Sequence, residues 1–187
     1  AFGSWKSPIT SDLITSSTTD LTEVLLDHSK STGKNPYQLY WIETRPNDGG
    51  RSVLVQLHSD GSGQDLTPAP FNVRNSVHEY GGAPALIVDG IVYFTNFDDQ
   101  RIYCHIPGET PRALTPNLPL RFADGDVDSF RERGIFVMED HRDTESEAEN
   151  SIVAVKFTGG YPEKIADGAD FYSNPRVSPD GKKLTWL

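Results

Sequence analysis

Gln64-Asp65-Leu66-Thr67-Pro68 recurs as Arg112-Ala113-Leu114-Thr115-Pro116, with a looser copy at Glu163-Lys164-Ile165-Ala166-Asp167. The three copies are spaced roughly fifty residues apart, and a repeat of that period marks a strand-rich solenoid or ring. A β-branched or aromatic run precedes each copy: Ser52-Val53-Leu54-Val55-Gln56-Leu57, Arg101-Ile102-Tyr103-Cys104-His105-Ile106 and Ile152-Val153-Ala154-Val155-Lys156-Phe157. Ahead of these lie Leu39-Tyr40-Trp41-Ile42, Val92-Tyr93-Phe94-Thr95 and Ile135-Phe136-Val137-Met138. Such bursts have the composition of half-buried or fully buried strands.

A fourth strand opens the later units, at Ala85-Leu86-Ile87-Val88 and at Asp126-Val127-Asp128-Ser129-Phe130. Four antiparallel strands per repeat of about 40 to 50 residues is the pattern of a β-propeller blade. The fold class is therefore all-β, a propeller of about three complete blades plus the start of a fourth. Blades are placed at about residues 20–70, 77–117 and 122–168, with the start of the fourth at 170–187. The pairs Asp60-Gly61, Asp89-Gly90, Gly159-Gly160 and Asp180-Gly181 supply the positive φ of two-residue hairpins. The last pair sits in Val177-Ser178-Pro179-Asp180-Gly181-Lys182-Lys183-Leu184, the first hairpin of the fourth blade. Propellers close with about four to eight blades, so the ring is incomplete here and the natural chain is expected to continue.

Composition narrows the function. Apolar residues make up 36% of the chain, enough for a packed core and too many for a disordered segment. A formal charge of −10 without a Lys/Arg cluster would repel a phosphate backbone, so nucleic acid is not an expected partner. No apolar run approaches the roughly 20 residues that span a bilayer, so no membrane partner is expected either. One cysteine, Cys104, and the absence of an Asn-x-Ser/Thr sequon favour a cytoplasmic setting. Residues 27–36 and 140–150 read as polar excursions.

Chemistry-bearing motifs are sparse. Gly61-Ser62-Gly63 lacks the Gly-x-Ser-x-Gly spacing of a nucleophile elbow and reads as a turn. Asp124-Gly125-Asp126-Val127-Asp128 has alternating carboxylates, but Ser129 and Ile135 stand where a calcium loop needs Gly and Glu, and solvated carboxylates on a strand edge are the better reading. His28, His58, His78, His105 and His141 show no three-to-five-residue spacing of a local metal site. No catalytic residue, metal or cofactor is expected in this chain. Two clusters stand out: Arg74-Asn75-Ser76-Val77-His78-Glu79-Tyr80-Gly81-Gly82, whose glycines permit close backbone approach, and Glu139-Asp140-His141-Arg142 at the end of an apolar strand. Arg74, His78, Glu79, Tyr80, Glu139, Asp140, His141 and Arg142 are the candidates for substrate contact or a domain interface. A salt-bridged blade junction is the competing reading, because structural ion-pair networks gather the same residue types.

Taken in order, Trp5-Lys6-Ser7-Pro8-Ile9-Thr10, Gly49-Gly50-Arg51-Ser52-Val53-Leu54-Val55, Leu66-Thr67-Pro68 with Asn72-Val73-Arg74, and Val77-His78-Glu79-Tyr80-Gly81-Gly82 resemble the propeller of prolyl oligopeptidase-type serine peptidases. Tyr93-Phe94-Thr95-Asn96-Phe97, Glu139-Asp140-His141-Arg142 and Val177-Ser178-Pro179-Asp180-Gly181 extend the likeness over nearly the whole chain. The branch it looks most like is the dipeptidyl aminopeptidase/acylaminoacyl peptidase group. Ala83-Pro84 departs from it where a third glycine is frequent, and proline removes a main-chain donor there. The resemblance implies an enzyme whose serine, histidine and aspartate lie on a separate α/β-hydrolase domain, absent from this chain. It further implies that the propeller admits short peptide substrates and that Glu79, with Arg74 or Arg142, shapes the electrostatics on the substrate side. A free-standing propeller that binds a protein partner is the alternative, and the sequence leaves room for an oligomer.

Overall fold

The computed structural model describes residues 3–11, 18–27 and 37–187. Three four-stranded antiparallel sheets follow one another along the chain, each in sequential strand order. The first contains β1 (Asp20–Asp27), β2 (Gln38–Arg45), β3 (Arg51–Leu57) and β4 (Gly63–Asp65), and the second β5 (Ala85–Val88), β6 (Ile91–Thr95), β7 (Ile102–His105) and β8 (Arg112–Ala113). The third contains β9 (Leu120–Asp128), β10 (Arg133–Asp140), β11 (Glu149–Lys156) and β12 (Glu163–Asp167), and a two-stranded ladder, β13 (Arg176–Val177) with β14 (Leu184–Thr185), comes after it. These are the blades of a β-propeller. Residues 28–36, which include the expected polar excursion and His28, lie outside the described residues. Among the described residues, no helix is long and apolar enough to cross a membrane.

Adjacent blades bury both faces of their middle strands, which explains apolar runs without polar alternation. On β6, Val92 and Phe94 join Tyr40, Ile42 and Leu54 of the first blade in one core, while Tyr93 turns the other way to meet Phe122, Phe136 and Met138 of the third. On β10, Phe136 and Met138 face the second blade, and Ile135 and Val137 pack with Tyr172, Val177 and Leu184 toward the fourth. The period-2 geometry of a strand thus assigns each side chain to one of two inter-blade cores.

The Leu-Thr-Pro repeat has a local cause. Leu66 N donates to Leu54 O at 2.8 Å and Leu114 N to Ile102 O at 2.7 Å. One residue later the threonine hydroxyl replaces a main-chain acceptor: Leu54 N donates to Thr67 Oγ1 at 3.0 Å and Ile102 N to Thr115 Oγ1 at 3.1 Å. The following proline has no N–H to extend the ladder, so the chain leaves the sheet there. In the third copy the ladder runs on, pairing Ser151 with Asp167 and Ile152 with Ala166, because Ala166 carries no hydroxyl to intercept it.

Several expectations need correction. Of the four glycine turns, Asp89-Gly90 is the two-residue hairpin, with φ of 53° and 77° between the paired Val88 and Ile91. Asp60-Gly61 and Asp180-Gly181 lie in longer loops, closed by His58 N to Ser62 O at 2.8 Å and Ser178 N to Lys183 O at 2.9 Å. Gly160 N instead reaches Leu114 O of the neighbouring blade at 2.9 Å. The first strand of the third blade runs from Leu120 to Asp128, so Ser129 and Phe130 fall past its end. A bulge opposite Phe136 hides the length of β9 from a period-2 reading: the register jumps between Ile135 and Val137, Asp124 takes φ 57°, and a Cβ on Gly125 would meet the Phe136 ring at 2.6 Å.

The alternating aspartates of β9 are not a solvated edge. Asp124 Oδ1 accepts Ala83 N at 2.8 Å, Asp126 Oδ2 accepts Val177 N at 2.7 Å, and the buried Asp128 binds Arg131 and Arg133. Asp124 and Asp126 join the third blade to its neighbours on both sides, while Asp128 is paired within the blade. Main-chain N–H groups at the blade junctions need acceptors, and a short carboxylate meets that need where no strand is within reach.

Candidate functional site

Neighbouring strands in every sheet are antiparallel, so the β2–β3, β6–β7 and β10–β11 hairpins leave the blades at the same end as the inter-blade connectors. Those connectors span residues 66–84, 114–119 and 168–175. The first is much the longest, and long ordered connections on a rigid scaffold commonly carry function.

Its tip is tied down by Asn75, which is buried. Asn75 Oδ1 accepts Gly82 N at 3.0 Å, and Nδ2 donates to Gly82 O at 3.1 Å and Thr95 Oγ1 at 3.3 Å. Gly81, at φ 87°, packs so closely that a Cβ would meet Asn75 O at 2.9 Å, and one on Gly82 would meet Asp124 Oδ1 at 2.5 Å. The tight approach survives Pro84, whose carbonyl accepts Thr95 N at 2.8 Å. Between these fixed points His78 and Glu79 both adopt left-handed backbone, φ 54° and 67°. For non-glycine residues such a conformation costs on the order of 1–3 kcal/mol each and persists only where the surroundings impose it.

The surroundings are supplied by the third blade. Glu139, 5% exposed at the end of β10, accepts His78 N at 2.8 Å through Oε1, and His141 Nε2 lies 3.0 Å from Oε2. His78 Nδ1 is 3.1 Å from Oε1 but out of hydrogen-bonding alignment, while Nε2 lies 3.2 Å from the carbonyl of Tyr172. Arg121, directly opposite Glu139 in the β9–β10 ladder, donates to Ser76 O at 2.8 Å and Glu79 Oε1 at 2.7 Å. Its guanidinium holds the Glu79 carboxyl below the usual carboxylate range. Glu79 is nonetheless 81% exposed and Tyr80 83%, so the strained turn presents both to solvent.

His78, Glu79, Tyr80, Glu139 and His141 line a cleft of about 1210 Å³. Glu79 and Glu139 are joined there by Glu147 and Glu149 around the start of β11 and by Asp167 and Asp170 around the end of β12. Lys164 lies 3.5 Å from Glu149 and 3.2 Å from Asp167, offsetting part of that charge. Phe171, 71% exposed, meets the His78 ring edge-on at 5.3 Å and gives one wall an aromatic face. Among the described residues, no group of three or more His, Cys, Asp or Glu is placed to hold a metal ion.

Comparison with protein-family models and with curated proteins finds no match. Solved structures do match. A puromycin-hydrolyzing peptidase of Mycobacterium tuberculosis superposes with a TM-score of 0.81 at 30% identity, over 98% of this chain and 28% of that one. A puromycin hydrolase gives 0.81 at 32%, over 98% of this chain and 30% of its own. Over 98% of its length the chain is similar to these peptidases, which are of the prolyl oligopeptidase family. It spans less than a third of the length of those peptidases, over part of a propeller. A nidogen/laminin complex, at TM-score 0.58 and 13% identity, shares the fold alone.

Within the propeller, the candidates named from sequence fall into two groups. His78, Glu79, Tyr80, Glu139 and His141 converge on the cleft. Arg74 stacks on Phe97, 4.8 Å from the ring centroid, and faces a separate cavity of about 550 Å³ lined also by Glu23. Asp140 and Arg142 pair with each other at 2.6 Å, and Arg142 donates to Tyr161 Oη at 2.7 Å. The cation beside Glu79 is therefore Arg121, not Arg74 or Arg142. Arg121 and Phe171 carry no signal in the sequence because each stands alone, in Leu120-Arg121-Phe122 and Asp170-Phe171-Tyr172; Phe171 reaches the cleft on the connector 168–175, and Arg121 lies on β9 against Glu79 at its rim. Cys104, its thiol pushed up by burial, lies beside Tyr93 away from the cleft.

Proposed function

We propose that this propeller segment forms the substrate-facing mouth of a serine-type oligopeptidase that hydrolyses short peptides, with the nucleophile on a separate α/β-hydrolase domain. The similarity to puromycin-hydrolyzing peptidases supports a peptidase setting. The observation that carries the role is the acidic, aromatic-walled cleft at the connector end, with Glu79 exposed at its rim on a turn the third blade holds in place. Concave sites with convergent charge and strained backbone are where ligands bind.

The lining also bears on which peptide terminus is taken. A free α-ammonium gains charge-assisted hydrogen bonds from carboxylates, whereas an acylated terminus offers no cation to an acidic wall. Of dipeptidyl and acylaminoacyl release, the cleft favours the first. Blades closing over the peptide would limit substrate length, the gating role expected of such a propeller. The test is steady-state kinetics of the full-length enzyme on a short peptide and its N-acetylated form. A lower KM for the free amine, lost in Glu79→Gln, supports the reading. Equal KM values and no effect of the substitution contradict it, and no turnover of either peptide favours a non-catalytic binding scaffold.

A further inference from the structure

Glu79 is a mobile type of side chain on an exposed turn, yet its Oε1 is committed: Arg121 Nη1 lies 2.7 Å away. The same nitrogen donates to Ser76 O at 2.8 Å and sits 3.7 Å from Glu139 Oε2. Arg121 thus grips the turn just before its left-handed pair and again at the second residue of that pair, while Glu139 takes His78 N between them. Register places Arg121 and Glu139 directly across the β9–β10 ladder, so both grips come from one rigid piece of the third blade. Among the described residues no hydrogen bond uses Glu79 Oε2, which leaves that oxygen for a ligand at the cleft rim.

We propose that Arg121 is the positioning residue for Glu79, fixing its carboxylate so that Oε2 meets the ammonium end of a short peptide. The proposal rests on the reading of Glu79 as a substrate-contacting group. Arg121 itself touches no substrate atom. It holds the acceptor ionised and in one place, which reduces the ordering cost that the peptide would otherwise meet on binding.

The test is a mutant cycle in the full-length peptidase, with KM and kcat measured on a free-amine peptide and its N-acetylated form for Arg121→Met, Arg121→Lys, Glu79→Gln and the Glu79→Gln/Arg121→Met double variant. Arg121→Met is expected to raise KM for the free-amine peptide about three- to tenfold, with kcat and the acetylated peptide nearly unchanged. Arg121→Lys should recover part of that loss, and the Met substitution should add nothing in the Glu79→Gln background. Equal effects of Arg121→Met in both backgrounds, or on both peptides, would overturn the positioning role while leaving Glu79 in place. An unaltered KM in Glu79→Gln would remove the reading of Glu79 itself. If Arg121→Met does not fold, Arg121→Lys alone decides, since it keeps the charge: a free-amine KM raised less than that of Glu79→Gln supports the proposal, and a rise shared by the acetylated peptide overturns it.

Discussion

Glu139 and His78 lie 61 residues apart in sequence and are joined by a 2.8 Å hydrogen bond from the His78 main-chain N–H to Glu139 Oε1. The bond crosses from the first inter-blade connector to the third blade, past the whole of the second. Removing the carboxylate would strand a main-chain donor inside the protein and free the left-handed turn it holds. Glu139→Ala is expected to destabilise the protein by about 2–4 kcal/mol, below the usual range for a broken buried pair because Arg121 is partly solvated. Glu139→Gln, which keeps an acceptor, should cost less. Urea-unfolding midpoints of the three proteins check the order.

Glu23 gives a pH dependence of definite sign. Burial first, and the charge of Asp124 second, push its carboxyl up to about 7, against the pull of Arg176. A carboxyl with a folded pKa above its unfolded value favours the folded state fully below about pH 4.5, and that contribution is lost as pH rises through about 7. Glu23→Gln should therefore match the wild type at pH 4 and exceed it by about 1 kcal/mol at pH 8, a figure reduced for solvent screening. Thermal unfolding at the two pH values reads this directly.

The Leu-Thr-Pro repeat predicts equal penalties at equivalent sites. Thr67→Val and Thr115→Val keep side-chain shape and remove the hydroxyl that accepts Leu54 N or Ile102 N. Each leaves a buried donor unpaired, at a cost of about 1–3 kcal/mol. Denaturant titrations should give the two variants similar losses, and Ala166→Thr in the third blade, where no such donor is free, should give no matching gain.

Gly82→Ala tests the close approach beneath the candidate site. The new methyl would fall 2.5 Å from Asp124 Oδ1 and 3.0 Å from Ala123 Cβ. Asp124 is held in place by Ala83 N, so the strain cannot be relieved by rotating one side chain. A loss of about 1–3 kcal/mol is expected by calorimetry.

The blades were legible in the sequence because each is local: strand, turn and Leu-Thr-Pro exit repeat within one unit, and apolar runs mark strands buried on both faces. What was hidden is what crosses between units. Arg121 carries no local signal as the partner of Glu79, since 42 residues separate them. His78 and His141 show no metal-like spacing and still meet on one carboxylate, because the connector folds back over the third blade. The aspartates of β9 looked solvated since alternation alone does not reveal which N–H groups await an acceptor at the blade junctions. Arg74, Asp140 and Arg142 share the sequence clusters of the site residues, but the strand alternation turns Asp140 away from Glu139, and Phe97 holds Arg74 apart.

On the proposed reading the connector end of these blades receives the peptide, with Glu79 at the point of contact. A crystal structure of the full-length protein, with its nucleophile removed and a short free-amine peptide bound, tests it most directly. The peptide is expected in the cleft between His78, Phe171 and the rim, its ammonium within roughly 3 Å of a Glu79 carboxylate oxygen. A peptide seated at the opposite end of the blades, or an ammonium held by other groups with Glu79 still turned to solvent, would contradict it.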